Sequence, residues 1–116
     1  MKSFNGLVVV DEAYIDFSAL QSWLTRLNEF PNLIITQTLS KAYGMAGIRL
    51  GICYASTEII AVLNKLKPPY NVNELTQQKA LKRLLTKNKV QSEINDILEQ
   101  RSKLIEKLKA FKAQNA

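Results

Sequence analysis

The chain has 116 residues, 47% of them hydrophobic, which allows one modest domain with a real core and excludes a disordered tail. No apolar run approaches the roughly 20 residues that a bilayer-spanning helix needs, and Met1-Lys2-Ser3-Phe4-Asn5 lacks the features of a signal peptide, so a cytoplasmic protein without a membrane partner is expected. The formal charge of +6 lies wholly in the second half: residues 1–56 carry four Lys/Arg and four Asp/Glu, which leaves twelve and six for residues 57–116.

Those bases alternate with acids along helical segments and lack the aromatic interleaving of a polynucleotide surface. They read as solvated faces, and no nucleic-acid partner is expected. The competing idea, a noncatalytic basic interaction or nucleic-acid-binding fragment, predicts steeply salt-dependent binding.

In chain order, Leu7-Val8-Val9-Val10 is a continuous, mostly β-branched run, the mark of a strand buried on both faces. Ser18 is placed to cap a helix over 19–30, with Leu20, Trp23, Leu24 and Leu27 on one face; Trp23 and Phe30 read as core. Pro31-Asn32 breaks that helix, and residues 33–38, LIITQT, form a second buried strand. The two strands should be parallel and joined right-handedly.

Residues 39–48 form a loop whose Gly44 and Gly47 suit a tight turn. A third strand is expected over 49–55. It contains the lone Cys53, which has no partner for a disulfide and no histidine in the chain to pair with, and reads as a buried structural thiol. Thr57 is placed to cap a helix over 58–66, which stops before Pro68-Pro69. Those prolines stiffen the loop KPPYNVN at 67–73. Asn73 can cap a helix from Glu74 to about Thr86. Finally, Val90, Ile94, Ile97, Leu98, Leu104, Ile105, Leu108 and Phe111 mark a long amphipathic helix. Three strands buried on both faces are too few to satisfy themselves, so the expectation is an α/β piece of a larger enzyme.

An apolar strand that ends in Asp11-Glu12 admits two chemistries. One is the magnesium and water management of P-loop ATPases; the phosphate loop G-x-x-x-x-G-K-[ST] that it needs is absent from the chain. The other is a pyridoxal-phosphate site. Asp11 stands at the carboxyl end of the first strand and Lys41 just past that of the second, and in an open α/β sheet both ends border the crevice where ligands bind. Arg49 shares that crevice only if the third strand runs antiparallel to the second. A lysine amine for the Schiff base, a carboxylate for the ring nitrogen, and a hydroxyl with a cation for the phosphate make up the cofactor's set of partners. Lys41, Asp11, Ser40 and Arg49 supply them, and Tyr14 lies near enough to Asp11 to reach the ring oxygen.

VVVDEAYIDF at 8–17, TLSKAYGMAGIRLG at 38–51 and KPPYNVN at 67–73 together resemble the histidinol-phosphate aminotransferase family, pyridoxal-phosphate enzymes of fold type I. The resemblance runs through essentially the whole chain. It implies a mostly parallel sheet with one antiparallel strand and flanking helices, with residues 1–87 in the cofactor-binding large domain and 88–116 a long helix leading to a small domain. It makes Lys41 the covalent attachment point and proton-transfer base. Asp11 is implied as the partner of the pyridinium nitrogen, Tyr14 of the ring oxygen, and Ser40 and Arg49 of the phosphate. Thr38 is implied as a supporting residue, and no metal is implied. The implied reaction moves an amino group between glutamate and imidazole-acetol phosphate, in a homodimer with sites at its interface, and places Tyr70 and Asn71 near the partner's site. A threonine-phosphate decarboxylase or an aromatic aminotransferase is the nearest alternative. The chain holds half of such a site and is expected to be incompetent alone.

Overall fold

The structure, a computed structural model, describes residues 3–114. The β-branched run after Gly6 forms strand β1, Val8–Asp11; β2 is Leu33–Thr38 and β3 is Gly51–Ala55. They make a three-stranded sheet in the order β1-β2-β3. β1 pairs parallel with β2, Val8 opposite Leu33 and Asp11 opposite Thr36; β3 returns antiparallel, with Thr38 opposite Gly51 and Thr36 opposite Cys53. The connection between β2 and β3, residues 39–50, holds only a 3-10 turn and no crossover helix of the kind that joins parallel neighbours, which accords with the antiparallel return.

The sheet has a covered face and an open one. Leu33 and Ile35 are fully buried on the first, where Phe30, Val8, Val10, Trp23, Leu24, Leu27 and Tyr54 pack around them. Val9, one residue out of phase, is 60% exposed. β1 is therefore buried on one face here and not on both, since no layer of the described residues covers Val9. The same alternation makes Cys53 exposed, which corrects the expectation of a buried thiol.

The segment expected as an α-helix over 19–30 is a 3-10 helix, Trp23–Glu29. Ser18 does not cap it: its Oγ accepts the N–H of Leu20 at 3.0 Å in a local turn, and Ser22 is the cap, accepting from Leu24 at 3.0 Å. Residues 15–17 make a further 3-10 turn before it. Three α-helices follow: α1 Thr57–Leu66, α2 Glu74–Leu84 and α3 Lys87–Gln114. Ser56 caps α1 in place of Thr57, accepting from Ile59 at 3.4 Å, and Lys67 goes extended ahead of Pro68. Asn73 caps α2 as expected, accepting from Thr76 at 2.9 Å. A second core forms where α3 meets the loop after β2: Ala42, Val90 and Ile94 are buried there, with Phe17, Tyr43 and Leu98 around them. No helix among the described residues is long and apolar enough to cross a membrane.

Candidate active site

Three pieces of backbone converge on one edge of the sheet. β1 and β2 are parallel, so Asp11 at the end of one and the turn after Thr38 at the end of the other leave by the same side. β3 enters from that side, because Gly51 pairs with Thr38, and so brings Arg49 to it. Asp11, Ser40, Lys41 and Arg49 therefore share an edge, as the order and direction of the strands require.

Each is held locally. The Asp11 carboxylate accepts the backbone N–H of Ala13 at 3.0 Å, which turns the chain sharply at the end of β1. Tyr14, 60% exposed, follows on that turn, and the Lys41 ammonium lies over its ring, Nζ 5.1 Å from the centroid. Lys41 sits on a turn closed by Gly44, whose N–H donates to the Lys41 carbonyl at 2.9 Å with φ at +66°. Thr38 Oγ1 accepts the N–H of Ser40 at 3.1 Å and donates to the Leu50 carbonyl at 3.4 Å, tying the lysine turn to the entry of β3.

Arg49 takes a left-handed conformation, φ 54°, where the third strand was expected to begin. It ends the 46–48 turn, and its Nη1 donates to the Ala46 carbonyl at 2.9 Å. Asp11, Tyr14, Lys41 and Arg49 are exposed and Ser40 is half-buried, so all five can meet a ligand. Tyr70, also in the left-handed region at φ 57°, is 96% exposed.

Two supports of this edge escape a reading of the sequence. The first is Glu12, the one charged side chain buried among the described residues, 6% exposed. Its carboxylate accepts from the Ser22 hydroxyl at 2.6 Å, the Trp23 backbone N–H at 2.7 Å and the Gln37 amide at 2.9 Å. Burial pushes its pKa up, but the hydrogen bonds from Ser22, Gln37 and Trp23 outweigh that and hold it below the ordinary carboxyl value. The period-2 alternation of β1, continued one residue past its end, is the signal: it puts Asp11 on the open face and Glu12 on the covered one.

The second support is Arg83 of α2. Its Nε donates to the Tyr43 carbonyl at 2.9 Å while its Nη2 pairs with Glu93 of α3, so one guanidinium joins the lysine turn to two helices. Nothing local in the sequence marks a pairing of residues 40 apart. Burial raises the pKa of the Tyr43 phenol, Asp16 and Tyr54 add to the rise, and Arg83 opposes it.

The family model for aminotransferase class I and II matches residues 1–115. The chain is 66% identical to a histidinol-phosphate aminotransferase of Flavobacterium johnsoniae and 57% identical to that of Christiangramia forsetii, each over 93% of this chain and 31% of the relative. It thus spans about a third of the length of the curated relatives it matches. The crystal structure of histidinol-phosphate aminotransferase from Clostridium acetobutylicum superposes with a TM-score of 0.82 at 26% identity, over 91% of this chain and 33% of that one. The enzyme from Sinorhizobium meliloti, solved in complex with pyridoxal-5'-phosphate, superposes with 0.76 at 27% identity, over 84% and 27%.

Proposed function

The chain belongs to the aminotransferase class I and II family, and from that premise we propose that it is part of a histidinol-phosphate aminotransferase whose pyridoxal-phosphate site is built on the Asp11–Lys41–Arg49 edge. The relatives' names support histidinol phosphate as the amino-group partner, with glutamate and imidazole-acetol phosphate as the pair that the sequence resemblance implies, and the cofactor of the Sinorhizobium meliloti enzyme supports the choice of pyridoxal phosphate. The observation that carries the reading is the convergence of an exposed carboxylate, an exposed amine and an exposed guanidinium on one sheet edge, as the pairing of the three strands requires. That donor set fits the group: an anion for a pyridinium nitrogen, a primary amine for an aldehyde, a cation and a hydroxyl for a phosphate.

Bound, pyridoxal phosphate supplies an electron sink and a carrier for the amino group. The chain's residues supply the rest. Lys41 Nζ is the attachment point and the base that moves a proton at the substrate carbon. Asp11 holds a proton on the ring nitrogen by charge. The Tyr14 hydroxyl donates to the ring oxygen, and Ser40 and Arg49 bind the phosphate. Residues 1–87 form part of the large domain and 88–116 the helix toward a small domain; the whole enzyme is a cytoplasmic homodimer. Exposed apolar side chains such as Val9, Ile97, Leu104 and Leu108 support a longer chain, whose other parts would cover them.

Incubating the chain with pyridoxal phosphate, reducing with borohydride and locating the adduct by peptide mass tests the assignment. A single adduct at Lys41, diminished in Asp11→Ala and Arg49→Ala, is expected. Labelling scattered over Lys65, Lys103 and Lys109 would overturn the assignment for this chain.

A further inference from the structure

Glu12 stands next to Asp11 yet faces away from it, and its hydrogen bonds reach three separate parts of the edge. Its backbone N–H donates to Thr36 of β2 at 2.8 Å, and its carbonyl accepts from Ile15 at 3.1 Å, closing the turn that carries Tyr14. Its carboxylate takes the hydroxyl of Ser22 and the N–H of Trp23, which begin the 3-10 helix, and the amide of Gln37, one residue before Thr38. The main chain of Glu12 thus ties β2 and the tyrosine turn to the end of β1, and its carboxylate adds the helix that roofs the covered face and the Gln37 side chain, on the strand that leads into the lysine turn. Hydrophobic packing does not require a carboxylate here. An apolar residue of the same size would fill the space, but it would leave the Trp23 N–H and the Gln37 amide without the acceptors they have now, at a cost typical of buried donors.

We propose that Glu12 is a positioning residue: its carboxylate sets the tyrosine turn against the lysine turn, and so places Tyr14 beneath the Lys41 amine. The proposal takes Lys41 and Tyr14 as site residues from the reading above, but its geometry belongs to the chain alone. Ser22, Trp23 and Gln37 are the means; Tyr14 and Lys41 are the groups whose spacing they set.

Reductive dimethylation of the lysines with ¹³C-formaldehyde keeps their charge and gives each a methyl signal. In the full chain without any added cofactor, the Lys41 methyls are expected upfield of those on exposed lysines such as Lys103, through the ring current of Tyr14, and Tyr14→Leu is expected to abolish that displacement. Glu12→Leu is expected to abolish it as well, while the methyl signals of Val90 and Ile94 in the second core stay unmoved. Glu12→Gln is expected to keep most of it, because a flip of the Gln37 amide restores donor-to-acceptor pairing.

Retention of the displacement in Glu12→Leu would overturn the proposal, as would its absence from the unsubstituted chain. Movement of the Val90 and Ile94 signals in Glu12→Leu would also overturn it, by making Glu12 a general stabiliser. Loss in both Glu12 variants would overturn the hydrogen-bonding account, since glutamine keeps the size. Scattered borohydride labelling with the displacement intact would sink the cofactor assignment and leave this one standing.

Discussion

Gly44 closes the turn that carries Lys41 in the left-handed region, φ +66°, and a Cβ built there would meet nothing within 4 Å. Space is therefore free and only backbone conformation resists a side chain. An L-residue pays about 1–2 kcal/mol to hold that conformation, so Gly44→Ala should lower unfolding free energy by about that amount. Gly47 is the control: it too has open space around it, without the positive φ, and Gly47→Ala should change stability by no more than about 0.5 kcal/mol. Denaturant unfolding of the two variants checks the pair, and equal effects would show that the turn does not depend on its glycine. Arg49 and Tyr70 take the same region without being glycine. At Arg49 the guanidinium donates back to the Ala46 carbonyl at the start of the 46–48 turn, and the left-handed backbone carries a cost in the range that functional sites retain.

At the scale of elements, the lysine turn is seated between α2 and α3 by Arg83, which bonds both the Tyr43 carbonyl and Glu93. The two bonds are unequal in consequence. Glu93→Gln weakens the pairing and leaves the bond to Tyr43; Arg83→Met removes both. Amide exchange of Gly44 and Met45, whose N–H groups donate to Lys41 and Leu39, should therefore speed up more in Arg83→Met than in Glu93→Gln. The reverse order would show that α3, and not Arg83, seats the turn. What the sequence made legible at this scale follows from how local each signal is. The β-branched run Val8–Val10, the cap Asn73 and the stripe Val90–Ile94–Leu98 each speak for their own segment, and β1, α2 and α3 stand where they were expected. The segment 19–30 had a helical stripe as well, but Glu12 takes the Ser22 hydroxyl and the Trp23 N–H, so the coil is pinned at residue 22 and only seven residues remain before Phe30 goes extended. That is a long-range bond overriding local periodicity. The shared edge of Asp11, Lys41 and Arg49 was legible because motif and strand direction coincide there. Glu12 and Arg83 were not, because their partners lie 10 to 40 residues away.

Over the whole molecule, the absence of histidine from the sequence removes the group that most often couples stability to pH near neutrality, and leaves acid response to the carboxylates. Three are held below their ordinary value of 4.5. Burial raises Glu12, but Ser22, Gln37 and Trp23 bring it down on balance; the Arg83 hydrogen bond lowers Glu93; the backbone N–H of Glu58 itself and the Ser56 hydroxyl lower Glu58. A carboxyl with a depressed folded-state pKa binds fewer protons folded than unfolded. Its contribution is complete above the unfolded value and is lost as pH falls through the folded one. Thermal stability should therefore stay level from neutral pH down to about 5 and decline below about 4.5. Glu12→Gln removes the buried member of the three, so its melting temperature should be lower than that of the unsubstituted chain at pH 7 and fall less steeply in acid, the two curves converging. Glu58 is exposed, and Glu58→Gln should flatten the acid limb far less than Glu12→Gln does. Melting curves of the three chains at pH 7, 5, 4 and 3 decide it, and parallel curves for Glu12→Gln and the unsubstituted chain would mean that the cross-link at Glu12 is no part of what acid undoes.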